Sequence, residues 1–196
     1  MRLTSPPRIV VSSREDKLTK LQDFITQDLS SRRETPAQDF AHTYTLIARA
    51  PDSPVARALQ AVAADIGAAN ISICVVLLEM EPMAEDAIPA SMLDLSAAEV
   101  RLLMDQRFAS AHEQLWLGEG RVWIGDCMRR DPAKRDAFEI FHIGDVKAAT
   151  HASTSFAKVW AAAKPMKRIA TATVSPDLIH AGQAADAADN RPPAIN

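Results

Sequence analysis

The run His112-Glu-Gln-Leu-Trp-Leu-Gly-Glu-Gly-Arg-Val-Trp-Ile-Gly125-Asp-Cys127 decides the fold. Two short apolar stretches, Glu113–Leu117 and Arg121–Ile124, flank the link Gly118-Glu119-Gly120. Glycines in so short a link supply the positive φ that a tight turn needs, so the spacing predicts an antiparallel hairpin. Trp116 and Trp123 then stand on facing strands and read as packing residues rather than base-stacking platforms. A third strand follows at Phe138–His142, where apolar and polar residues alternate.

Upstream, Asn70-Ile-Ser-Ile-Cys-Val-Val-Leu-Leu78 is a continuous apolar run rich in β-branched residues, the pattern of a strand buried on both faces. A helix precedes it. Ser53-Pro54 is a start signal, Val55, Leu59, Val62 and Ile66 share one face, and Gly67 sits where a C-cap glycine belongs. Helix, glycine and buried strand in succession predict an α/β layered domain. The segment around Val100–Met104 reads as a strand or as an amphipathic helix. From Asp145 a helix is expected to about Ala163, ended by Pro165.

Toward the N-terminus, residues 12–33 form the clearest helix. Ser13 and Asp16 make a capping-box pattern, and Leu18, Leu21, Ile25 and Leu29 recur at helical spacing. Lys17, Lys20, Asp23 and Gln27 are expected on its solvent face. From Pro36, Phe40, Tyr44 and Ile47 suggest a second helix, although His42–Ile47 also suits a strand. The expected organisation is an N-terminal helical arm over 1–50, a main domain over 51–166, and a loosely held tail over 167–196.

Composition narrows the function classes. The 196 residues are 47% hydrophobic and 24% charged, which fits a folded domain and excludes wholesale disorder. A net charge of -3 argues against coating DNA or anionic membranes by bulk charge, so nucleic acid is a disfavoured partner. No stretch approaches a membrane span or a secretory leader, so a cytoplasmic location is expected. Cys74 and Cys127 read as reduced thiols. His42, His142, His151 and His180 share no ligand spacing, so neither a metal nor another cofactor is expected. Ser153-Thr-Ser155 lacks the glycines of a nucleophile elbow, and Gly118-x-Gly120 lacks the third glycine of a dinucleotide loop.

The strand–turn–strand ending in Ile124-Gly125, with His112 at its head and Glu139 in a later strand, resembles one half of a phospholipase D superfamily domain. That family's motif is His-x-Lys, an acid five residues after the lysine, and then Gly-Ser-x-Asn. The helix at 54–66, the strand at 70–78 and the ending Phe156, Trp160, Pro165, Met166 extend the resemblance over roughly residues 53–166. It implies a phospholipase D-like α/β sandwich half-domain. It also implies a catalytic set at His112, Gln114, Glu119 and Asp126. In such a site histidine attacks phosphorus, a second histidine protonates the leaving group, and lysine and asparagine steady the phosphoryl oxygens. A chain with one motif would complete the site as a homodimer.

The motif's chemistry is altered in this chain. Gln114 stands at the lysine position, Glu119 replaces the aspartate, Asp126 stands for serine, and Met128 for asparagine. Arg129, Arg130 and Lys134 follow in a loop and are candidate phosphate ligands, although Asp131 and Asp136 interleave with them. The favoured expectation is a catalytically impaired family member binding a phosphate-bearing ligand. The alternatives are an active phosphodiesterase with an arginine in the lysine's role, and a structural or regulatory interaction protein.

Overall fold

A computed structural model of the chain describes residues 8–10, 13–34, 42–79, 87–89, 92, 95, 98–108, 110–118, 120–125 and 138–168. The elements in order are β1 (Arg8–Val10), α1 (Arg14–Glu34), β2 (Thr43–Ala48), α2 (Pro54–Ala61), α3 (Ala63–Ala68), β3 (Ser72–Leu77), β4 (Ala98–Leu103), β5 (Gln114–Gly118), β6 (Arg121–Ile124), β7 (Phe138–His142), α4 (Val146–Ala162) and β8 (Ala163–Pro165). The strands join in one mixed sheet of order β1-β7-β6-β5-β2-β3-β4-β8. β2, β3 and β4 run parallel, and the remaining pairings are antiparallel.

Side chains alternate across this sheet and build a core on each face. On one face Tyr44 and Leu46 of β2, Ile73 and Val75 of β3, and Leu115 and Trp123 of the hairpin meet Leu21, Ile25 and Leu29 of α1 and Leu59 of α2. On the other, Ile47, Val76 and Leu103 meet Phe156 and Val159 of α4, while Val122 packs with Ala149 and Ala152. Helices on both faces of a mixed sheet make this an α/β sandwich, as the buried run at 70–78 predicts. The hairpin is also as expected, with Leu115 opposite Trp123 and Trp116 opposite Val122. Between the two readings of the Val100 segment, the strand is the one formed.

Four local expectations need correction. The segment read as a second helix from Pro36 contains β2, which lies between β3 and β5 inside the sheet. Thr43, Thr45 and Ile47 are β-branched, and five of its six residues are buried, so tertiary burial overrides a weak helical spacing. Residues 36–41 lie outside the described residues. Gly67 does not cap its helix: α3 runs past it to Ala68, and Asn70 takes the left-handed conformation at φ 52°. The Asn70 N–H donates to the Gly67 carbonyl (3.0 Å) and the Ile71 N–H to that of Ile66 (3.2 Å), a Schellman closure with both isoleucines buried. The Ser53 hydroxyl forms no cap bond, although Pro54 does occupy the first helical position. Finally, Lys17 is not on a solvent face.

Lys17 shares the inner stripe of α1 with Leu21, Ile25 and Asp28, and is 2% exposed. Its Nζ lies 2.6 Å from Glu139 Oε1 and 3.8 Å from Glu113 Oε2, and 5.2 Å from the centre of the Trp123 ring. The Trp123 indole donates to Glu139 Oε2 at 2.9 Å, and the Arg49 amide donates to Glu113 Oε1 at 3.0 Å. Burial pushes the Glu139 carboxyl up, opposed by the adjacent Lys17 ammonium. Toward the other end of α1, Asp28 accepts from the Tyr44 hydroxyl and from Arg32 Nε, both at 2.6 Å, while Arg32 also reaches the Leu117 carbonyl. Two buried polar anchors and a row of apolar side chains therefore fix α1 to the sheet. The segment expected as an arm packs against the main domain and shares its core.

The expected tail departs at the edge of the sheet. Lys167 bridges Ala87, and Arg168 donates to the Leu95 carbonyl at 2.8 Å; residues 169–196 lie outside the described residues.

Candidate functional site

His112 and Gln114 are brought together at one end of the sheet. Gln114 pairs with Ile47 near the end of β2, so the head of β5 lies beside the carboxyl ends of the parallel strands. That rim is where open α/β sheets commonly gather their ligand sites. Alternation sends His112, Gln114 and Trp116 toward α4, and sends Glu113, Leu115 and Leu117 toward α1.

On the α4 side lies a cavity of about 270 Å³, lined by His112, Gln114, Ala111, Phe108, Ile47 and Ile124 from the sheet side. The helix contributes His151, Ser155, Lys158 and Val159. His112 is exposed at its rim, free to meet a ligand from solvent. Gln114 is buried, and its Nε2 donates to the Ala152 carbonyl of α4 at 2.9 Å. Gln114, which the resemblance puts at the lysine position, thus ties β5 to α4 rather than presenting a charge. Glu119, Asp126, Arg129, Arg130 and Lys134 lie outside the described residues, as does Cys127.

Local sequence explains this geometry. Gly120, at φ 86°, lets the hairpin turn close against the start of α4; a Cβ there would sit 2.9 Å from the Asp145 amide nitrogen. Asp145 caps α4, accepting from the Ala148 N–H at 3.0 Å, and that bond holds its carboxyl below the usual range. Gly125 ends β6 where a Cβ would meet the Trp123 ring at 2.4 Å, so only glycine admits the indole to its place above Lys17. The second tryptophan behaves differently: Trp116 is half-buried and its Nε1 has no hydrogen-bond partner among the described residues.

Sequence reasoning missed the helix's share of the cavity. His151, Ser155 and Lys158 recur at i, i+4 and i+7, one side of α4, while Ala149, Ala152, Phe156 and Val159 form its buried stripe. The spacing was legible, but nothing in it says that this side faces His112. Among the described residues no cluster of three or more histidine, cysteine, aspartate or glutamate side chains is arranged to hold a metal ion. Cys74 is a free, half-buried thiol whose pKa burial pushes up, aided by Glu99, which makes it a weak nucleophile. No described helix is long and apolar enough to cross a membrane.

No family model matches the sequence. No curated protein matches it either. Among solved structures, the chain is similar to NucT from Helicobacter pylori, at TM-score 0.48 and 11% identity over 83% of this chain and 99% of that one. It is similar also to Nuc from Salmonella typhimurium, described as a phospholipase D family member, at TM-score 0.47 and 14% identity over 84% of this chain and 100% of that one.

Proposed function

We propose that this is a phospholipase D-like protein, catalytically impaired, which binds a phosphate-bearing ligand at the His112 cavity and acts as a homodimer. The observation that carries the impairment is the Gln114 amide bonded to the Ala152 carbonyl. A residue in the lysine's place that is neutral, buried and already bonded has no cation to offer a developing phosphoryl charge. Loss of one such stabilising contact costs on the order of a hundred- to thousand-fold in rate. His112, by contrast, remains exposed beside a cavity, which supports retention of ligand binding. The dimer rests on the resemblance: its chemistry joins two histidine motifs, and this chain supplies one.

The test is hydrolysis of bis(4-nitrophenyl) phosphate by the full chain, with His112→Ala as control. The expected result is release of nitrophenol no faster than from the control. Turnover well above the control contradicts the impairment, and light scattering at the monomer mass contradicts the dimer.

A further inference from the structure

We propose that the α4 side of the cavity is an oxyanion-binding surface, with Lys158 and His151 holding the phosphoryl group of a small phosphorylated ligand beside His112. This rests on the reading of the His112 cavity given above and adds residues that the family motif does not contain. The protein carries a net negative charge, yet no carboxylate is among the described residues lining this cavity. Its described polar lining is His112, His151, Ser155, Lys158 and Gln114, all able to donate hydrogen bonds.

The state of these side chains separates them from many of the described cations. Lys17, Lys20, Arg14, Arg32, Arg33 and Arg101 all have carboxylate partners. Lys158, His151 and His112 have no hydrogen-bond or ion-pair partner among the described residues. A lysine is a compact cation with three donors, well suited to a phosphoryl oxygen, and it stands one helical turn from Ser155 and two from His151 on the same side of α4. The positive charge missing at Gln114 is thereby supplied from across the cavity. The rest of the lining is apolar, with Phe108, Ile47 and Val159 placed to cover a small organic substituent.

The experiment follows the histidine ring resonances of the 196-residue chain by NMR during titration with phenyl phosphate at low salt. The expected result is saturable shifts of both His112 and His151, with inorganic phosphate reproducing them and phenol alone giving none. Lys158→Ala should weaken the affinity on the order of tenfold or more, since a bond to a charged group is lost. Lys158→Arg should restore most of it, and Lys147→Ala, an exposed lysine of the same helix outside the cavity lining, should leave it unchanged. Binding that shifts His112 but is indifferent to Lys158→Ala and His151→Ala overturns the role of α4 while leaving the His112 reading standing. Equal weakening by Lys147→Ala reduces the effect to net charge and overturns it as well. Absence of any shift at millimolar phenyl phosphate overturns both.

Discussion

Lys17 shows how far one residue shapes this protein. Its ammonium lies between two buried carboxylates and beneath an indole, at the junction of α1, β6, β7 and the residue next to His112. Removing one member of a buried ionic group leaves its partners uncompensated, which costs about 3–5 kcal/mol. Lys17→Met should therefore lower the urea midpoint markedly, removing a large fraction of a total stability that is commonly about 5–15 kcal/mol. Lys20→Ala, which breaks a partly exposed pair with Asp16, should cost no more than about 1 kcal/mol. Equal losses from the two variants would contradict the buried cluster.

Glu139 in the same cluster gives the pH dependence. Burial raises its carboxyl pKa in the folded chain, so the folded state holds that proton more tightly than the unfolded state does. The associated stability is complete below the ordinary glutamate range and is lost as pH rises through the raised value. Glu139→Gln, which keeps the size and removes the titration, should flatten the fall in unfolding free energy from the ordinary glutamate range upward. An unchanged slope in chemical denaturation across that range would contradict it.

At the scale of elements, the turn out of α3 is the sharpest test. Asn70 sits at φ 52°, where a Cβ crowds the backbone, a cost that glycine avoids and asparagine tolerates better than most residues. Asn70→Ala should destabilise by about 1–2 kcal/mol and Asn70→Gly should be close to neutral, read from thermal or urea midpoints. The sequence made Gly67 the stop because glycine is the commoner signal, and could not register that asparagine three residues later does the work. The hairpin was readable because two glycines and two β-rich stretches agree within twelve residues. β2 was not, because its decisive property, burial between β3 and β5, comes from strands distant in the chain. Lys17 was misread for a related reason: a charge on an apolar stripe implies a partner, and Glu113 and Glu139 lie about a hundred residues away. Of the candidate site, His112 and Gln114 were found by motif, and Lys158 and His151 were not, since only the docking of α4 brings them to the cavity.

For the whole molecule, the first fifty residues supply a central strand and one wall of the core. Leu21, Phe24, Ile25 and Leu29 of α1 are buried with Tyr44 and Leu46 of β2 in the same cluster as β3 and the hairpin. A chain beginning at Pro51 would lose β2, which joins β3 to β5, and would expose the apolar face that α1 covers. Such a truncation should give poorly dispersed amide spectra and no cooperative melt. A well-folded fragment would show instead that the main domain stands without its N-terminal segment.

The central claim is that His112 holds a phosphate-bearing ligand without breaking it. Phosphorus NMR of an aryl phosphodiester incubated with the full chain tests this most directly. The account predicts a diester signal that broadens with added protein, sharpens again with His112→Ala, and is never replaced by a new peak. A phosphomonoester peak that grows with the wild-type chain and not with His112→Ala would contradict it.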